Sequence, residues 1–283
     1  MLDTVMEMNV SGKRETVVIC CLTTEVMKVV EPVKFYEASR VHIISYPSNK
    51  EDDDTVKFYG AFLEEACKRI TESGRTIVMV DEADTTDYQE MVRAIIHIVD
   101  YEKAHGGSSL IYINISSGTP EYISAAMLVS IQEGDLVAFS VRSKKRSLDY
   151  DMALKVYSKD GRPVGITSEV YDPIMVTTFG SEKPSDRLVA CLEIIKRQDD
   201  ENTLMNFNDI IEAMKAIDSW DYVAEAKKTR TDDAQKERMF LRRNYITPML
   251  QREWIVENHR RRNRFTITEK GRAIVDVYGK EQT

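Results

Sequence analysis

The chain has 283 residues, 42% of them hydrophobic, so it is long enough for two ordinary domains; its net charge of −8 argues against a general polyanion binder. No apolar run approaches the roughly 18–20 residues of a membrane span, and the opening MLDTVMEMNVSGKRE lacks the charged, apolar, small-residue order of a signal peptide, so a soluble, cytoplasmic protein is expected. Cys20, Cys21, Cys67 and Cys191 make no CxxC spacing and read as reduced core residues, with neither a disulfide framework nor a metal site expected.

In chain order, short β-branched runs alternate with longer helical patterns. TVVICCL (16–22), RVHIISY (40–46), TIVMVD (76–81), SLIYINI (109–115) and LVAFSV (136–141) predict strands. Residues 25–37, 54–72, 86–104 and 120–133 carry helical spacing between them, as in Phe58, Phe62, Leu63, Ala66 and Ile70. Strand–helix alternation of this kind predicts a doubly wound, mainly parallel α/β sheet of Rossmann-like type. Beyond Val141, ALKVY and VYDPIMVTTF predict two further strands about a Gly and Pro turn, and GSEKPSDR (180–187) combines turn formers with a helix start. A domain boundary is therefore expected there, giving domains 1–180 and 181–283.

The second domain predicts helices at 186–198, 207–217 and 233–252, then WIVE, a basic turn and RFTITEKGRAIVDVYG. Charge is uneven: residues 1–180 hold 19 Lys+Arg against 28 Asp+Glu, whereas 227–272 hold 14 against 6. Three helices followed by a two-stranded ribbon with a basic tip is the layout of a winged helix-turn-helix on double-stranded DNA. Trp254 and Ile255 would anchor the first wing strand, and Phe265 and Ile267 the second. In DAQKERMFLRRNYITPMLQRE, the expected recognition helix, Met239, Ile246 and Leu250 fall near one face and leave Gln235, Lys236, Arg242 and Arg243 for DNA. Arg260, Arg261, Arg262 and Arg264, with His259, crowd the wing. Pro248 predicts a bend near Thr247 or a restart with proline in the first turn. A rival reading takes Arg252 and His259 as an Arg-x4-6-His pair of a HEPN-type ribonuclease; it needs an all-helical setting, whereas the pattern here predicts a hairpin.

In the first domain, two predicted strands end in small polar residues: Thr23, Thr24 and Glu25 after the first, and Asn114, Ser116, Ser117, Gly118 and Thr119 after the fourth. A glycine permits close backbone approach, free amides at a helix start favour anions, and hydroxyls add donors without bulk, so these ends suit a phosphate or phosphodiester. They equally suit a plain helix cap. No GxxxxGK[ST] or GxGxxG is present, which argues against Walker-type hydrolysis and ordinary Rossmann redox chemistry; no cofactor is expected.

The segment IYINISSGTPEYISAAML, the strand–helix order over 16–141 and the basic ribbon together resemble CARF domains, the Rossmann-like sensors of CRISPR-associated proteins, and especially those with a carboxyl-terminal winged helix. The resemblance implies a homodimer binding a cyclic oligoadenylate, with cyclic tetra-adenylate as the expected ring, at a twofold interface. It implies contacts from Asn114 to Thr119 and from Thr23 and Thr24, with Lys144, Lys145 and Arg146 at the rim. It also implies a ligand-responsive transcription regulator, or as an alternative a ring nuclease that cleaves its own ligand. One departure is the absence of a glycine in the first loop, CCLTTEVMKVVEP.

Overall fold

The computed structural model describes residues 15–49, 53–72, 74–105, 109–145, 147–159, 161–163, 179–203, 206–223, 233–257 and 265–279. The chain divides into two compact units, Met1–Ser130 with Gly134–Val176, and Ile131–Glu133 with Thr177–Thr283.

The first unit is built from β1 (Thr16–Cys21), α1 (Val26–Phe35), β2 (Arg40–Ser45), α2 (Asp53–Thr71), β3 (Ile77–Glu82), α3 (Tyr88–His105), β4 (Leu110–Asn114), α4 (Pro120–Glu133) and β5 (Val137–Phe139). The strands form one sheet in the order β3-β2-β1-β4-β5, and every neighbouring pair is parallel. This is the Rossmann-like α/β arrangement that the alternating pattern predicts. Side chains alternate across the central strands. Val18, Cys20, Val41 and Ile43 pack with Val29, Val33, Ala66 and Ile70 of α1 and α2. The opposite set includes His42, whose ring meets Glu102 on α3.

That second face carries a buried charge cluster. His42 Nδ1 lies 2.9 Å from Asp81 Oδ2, and Nε2 lies 2.9 Å from Glu102 Oε1. Arg40 donates to both Glu102 oxygens, at 3.1 Å from Nε and 2.8 Å from a terminal nitrogen, and reaches Glu15 at 2.7 Å. Burial pulls the His42 pKa down, but the bonds to Asp81 and Glu102 outweigh it and leave the pKa raised. Burial likewise raises Glu102, and the bonds from Arg40 and His42 bring it below the usual carboxylate range. The cluster clips β2, β3 and α3 together.

After β5, the expected strand at ALKVY is instead a helix, α5 (Tyr150–Val156), with Asp149 capping it through a 2.8 Å bond from the Met152 amide. The Asp149 cap and good helix formers such as Ala153, Leu154 and Lys155 favour this over the β-branched Val156. A two-residue hairpin follows, β6 (Ser158–Lys159) against β7 (Arg162–Pro163). The second strand expected there, 170–179, lies outside the described residues except for Phe179.

The second unit comprises α6 (Asp186–Asp200), α7 (Phe207–Ala216), α8 (Asp233–Leu241), a π-helical turn (Arg242–Ile246), α9 (Thr247–Gln251), β8 (Ile255–Glu257), β9 (Phe265–Ile267) and α10 (Glu269–Tyr278). Ser185 caps α6, and Asn206 with Asp209 forms a reciprocal capping box on α7. Leu192, Ile195, Ile210, Ile211, Met249 and Ile274 are among the residues of one hydrophobic core.

The helix expected over 233–252 is one rod in two registers. Pro248 sits in the first turn of α9, directly after the π turn, so its missing N–H falls where the wider turn has already broken the regular ladder. The extra residue rotates the buried face. Leu241, Tyr245, Ile246 and Met249 are buried, whereas Met239, expected on that face, is 64% exposed.

β8 and β9 pair antiparallel, Ile255 opposite Ile267, and Trp254, Ile255, Phe265 and Ile267 are all buried as expected. Their junction with α10 explains the TEKG turn. Thr268 Oγ1 donates to the carbonyl oxygens of Glu253 at 2.7 Å and Trp254 at 3.1 Å, and accepts from the Gly271 amide at 3.0 Å. A Cβ on Gly271 would lie 2.1 Å from the Trp254 carbonyl oxygen, so only glycine lets α10 start this close to the hairpin.

Candidate functional site

The strand order reverses between β1 and β4, and open α/β sheets bind ligands outside the carboxyl ends of strands at such a point. Loops 22–25 and 115–119 leave the sheet side by side there. Gly118 has φ +97°, and a Cβ on it would stand 2.7 Å from Tyr122 Cδ1 and 2.8 Å from Cys21 Cβ. Glycine is required both by its left-handed backbone and by the closeness of the loop to β1.

The hydroxyls and amide of this loop make hydrogen bonds directed largely into the protein. Asn114 is fully buried; its Nδ2 donates to the Lys28 carbonyl at 2.7 Å, and its Oδ1 accepts from the Ser116 amide at 2.9 Å and from the Ser116 hydroxyl. Ser116 Oγ accepts in turn from the Val141 amide at 2.9 Å. Ser117 is buried and donates to the Cys21 carbonyl at 2.7 Å. Thr119 Oγ1 donates to the Thr85 carbonyl at 2.5 Å and caps α4 by accepting from the Tyr122 amide at 3.2 Å. Thr23 and Thr24 lie at the surface, half-buried and exposed respectively. The helix cap that the sequence suggested is present at Thr119, and Asn114, Ser116 and Ser117 fix the backbone of the same loop.

These bonds fasten loops that are far apart in sequence. Asn114 ties β4 to the first turn of α1, Ser116 ties it to the exit of β5, and Thr119 ties α4 to the loop after β3. Thr85 is a residue that sequence reasoning missed. Its contribution is a backbone carbonyl, which no side-chain pattern encodes.

Beside these loops lies a cleft of about 1710 Å³, bounded by the start of α1, by α2, by the chain leaving β5 and by α5. Thr24, Lys28, Lys144 and Lys145 line it, and so does Arg142, which the sequence reading passed over. Lys28 pairs with Glu25 at 3.5 Å and Arg69 with Glu65 at 2.6 Å, leaving Arg142, Lys144 and Lys145 without an ionic partner among the described residues. Arg146, expected at the same rim, lies outside those residues.

Chemically, the two loops offer amides and hydroxyls rather than acid–base pairs. Burial pushes the Cys21 thiol up to about 12 despite an opposing hydrogen bond from the Thr119 amide, which disfavours its thiolate.

The family model described as HFX_2341_N:-like, N-terminal, matches residues 16–146. Among solved structures, the chain is similar to Enterococcus italicus Csm6 bound to cyclic hexa-2'-fluoro-hexa-dAMP, with 12% identity, a TM-score of 0.40, and coverage of 87% of this chain and 57% of that one. It is also similar to Can2 from Sulfobacillus thermosulfidooxidans in complex with cyclic tetra-adenylate, with 14% identity, a TM-score of 0.35, and coverage of 93% and 63%. The chain thus spans about three-fifths of the length of these structures. No curated protein matches it.

In the second unit, Arg242 and Arg243 are both exposed on the π turn. Lys236 is half-buried and paired with Asp233 at 3.1 Å, one turn away on α8. Gln235 is exposed. Arg260, Arg261, Arg262 and Arg264, with His259, lie outside the described residues. Arg252 ends α9 with its guanidinium 5.4 Å from the Trp254 ring centroid and leads into β8, not into the all-helical setting a HEPN pair needs.

Proposed function

We propose that the protein is a ligand-responsive DNA-binding regulator of CARF type, acting as a homodimer. A cyclic oligoadenylate, with cyclic tetra-adenylate the first candidate, occupies the carboxyl ends of β1 and β4, and the second unit engages double-stranded DNA as a winged helix. The observation that carries the ligand half is the seating of Gly118 against Cys21 at the reversal of strand order, fastened by Asn114 and Ser116. Buried polar side chains spent on holding a surface loop make a preorganised binding edge. The ligand class itself comes from the CARF resemblance of IYINISSGTPEYISAAML.

For the dimer, support comes from α4: Tyr122, Ala125, Ala126 and Val129 are buried, while Met127 places an apolar side chain, 38% exposed, on the outer side. An isologous contact would present each loop twice to a ligand with repeated phosphates. For DNA, support comes from the order of helices and hairpin and from the exposure of Arg242 and Arg243. The ligand regulates only if it binds the dimer arrangements unequally.

The test is calorimetric titration of the full chain with cyclic tri-, tetra- and hexa-adenylate, followed by operator selection with and without the one that binds. A flat panel sinks the sensor role. Recovery of linear products after long incubation would replace the regulator with a ring nuclease.

A further inference from the structure

The cleft beside β5 has walls of unusual composition. Phe35, the last residue of α1, is 80% exposed; Tyr150 and Tyr157, at either end of α5, are 75% and 46% exposed; all three line this one cavity. Tyr36 and Phe139 are part of its lining, in contact at 5.0 Å between ring centroids, with Tyr36 stacked on Tyr112 at 4.2 Å. None of the described α5 residues is buried, so the helix contributes its rings to the cleft and not to the core. Large aromatics left in water cost free energy, and several around one cavity mark a surface kept for a flat apolar partner.

The charges narrow that partner further. Arg142, Lys144 and Lys145 border the same cavity with no ionic partner among the described residues, whereas the cavity's Glu25 and Glu65 are already paired with Lys28 and Arg69. Glu31, on α1, also lines it and disfavours anions locally. At about 1710 Å³ the cleft exceeds the roughly 300–1,000 Å³ of a small-molecule pocket. Exposed rings plus a cationic border is the composition that holds unpaired bases by stacking and their backbone by charge.

We infer that this cleft binds a short linear single-stranded oligonucleotide within one protomer, with Phe35, Tyr150 and Tyr157 stacking on bases and Arg142, Lys144 and Lys145 holding phosphates. This goes beyond the sensor reading, since it requires neither a cyclic ligand nor a second copy. Duplex nucleic acid is excluded because its bases are already stacked and shielded.

Fluorescence anisotropy of the full chain with 5′-labelled linear hexa-adenylate tests it, using the matching duplex and inorganic tripolyphosphate as competitors. The expected result is displacement by unlabelled single strand but not by duplex or tripolyphosphate at equal charge. Tyr150→Ala and Phe35→Ala, exposed positions that leave the fold intact, should each weaken binding about tenfold, within the range of one lost base stack, with an unchanged salt slope. Lys144→Ala with Lys145→Ala should instead flatten the salt slope. No binding by the wild type, equal competition by tripolyphosphate, or indifference to both ring variants overturns the inference. Parallel titration with cyclic tetra-adenylate separates the two readings: its failure removes the sensor and leaves the groove, while failure of the linear strand alone removes the groove.

Discussion

Gly118 carries two constraints at once, and they give a sharp outcome for Gly118→Ala. The methyl must clear Tyr122 and Cys21 at under 3 Å while the backbone stays at φ +97°. A loss of roughly 2 kcal/mol or more is expected by chemical denaturation, together with loss of cyclic tetra-adenylate binding. Asn114→Ala acts on the same loop by a different route, leaving the Lys28 carbonyl and the Ser116 amide without their partner; about 1–3 kcal/mol is expected. His42 sets a pH dependence whose sign follows from its neighbours. Its folded pKa is raised, so its contribution is complete below the ordinary histidine value of about 6.5 and is lost as pH rises through the folded value. Glu102 is lowered, so its contribution is complete above about 4.3 and is lost as pH falls through its folded value. The cluster therefore stabilises most between those limits. Urea midpoints measured from pH 5 to 9 should fall on the alkaline side, and His42→Gln should flatten that fall; a wild-type profile retained in the variant would acquit the cluster.

Gly271 and the π turn show what individual elements demand of the sequence. Gly271→Ala forces α10 away from the Trp254 carbonyl, and a drop of roughly 2 kcal/mol or more with a reopened hairpin is expected, visible as faster amide exchange at Ile255 and Ile267. Most of the first unit was legible because the βα alternation of strands and helices is strong: β1 to β5 and α1 to α4 fall within a few residues of their expected positions. α5 was misread because ALKVY is too short for either period to declare itself, and Asp149 decided it from outside the segment. Pro248 announced a break, but not that a π turn would absorb it and turn Met239 outward. The loop after β4 falls where the sequence puts it, but the direction of its side chains was not legible, since their partners Cys21, Lys28, Thr85 and Val141 come from a strand end, the first turn of α1 and two other loops. Composition names the donors; tertiary structure chooses what they serve.

On the scale of the molecule, an acidic first unit and a basic stretch in the second divide the labour that the proposed function assigns to them. Arg242→Ala with Arg243→Ala should weaken binding to all duplex sequences alike and reduce the slope of log affinity against log salt by about 2 if both touch phosphate. An unchanged slope would move the DNA surface elsewhere. The central place of β1 has a consequence for how the first unit assembles. Val17 pairs with Arg40 on one side and Ile111 on the other, so one neighbour of the strand is close in sequence while β2, β3 and three helices separate it from the other. Parallel pairings of such long range are slow to close. Until they do, Cys20 and Cys21 lie on an open strand edge as accessible thiols, so refolding yield should depend on a reducing agent even though the finished protein buries both.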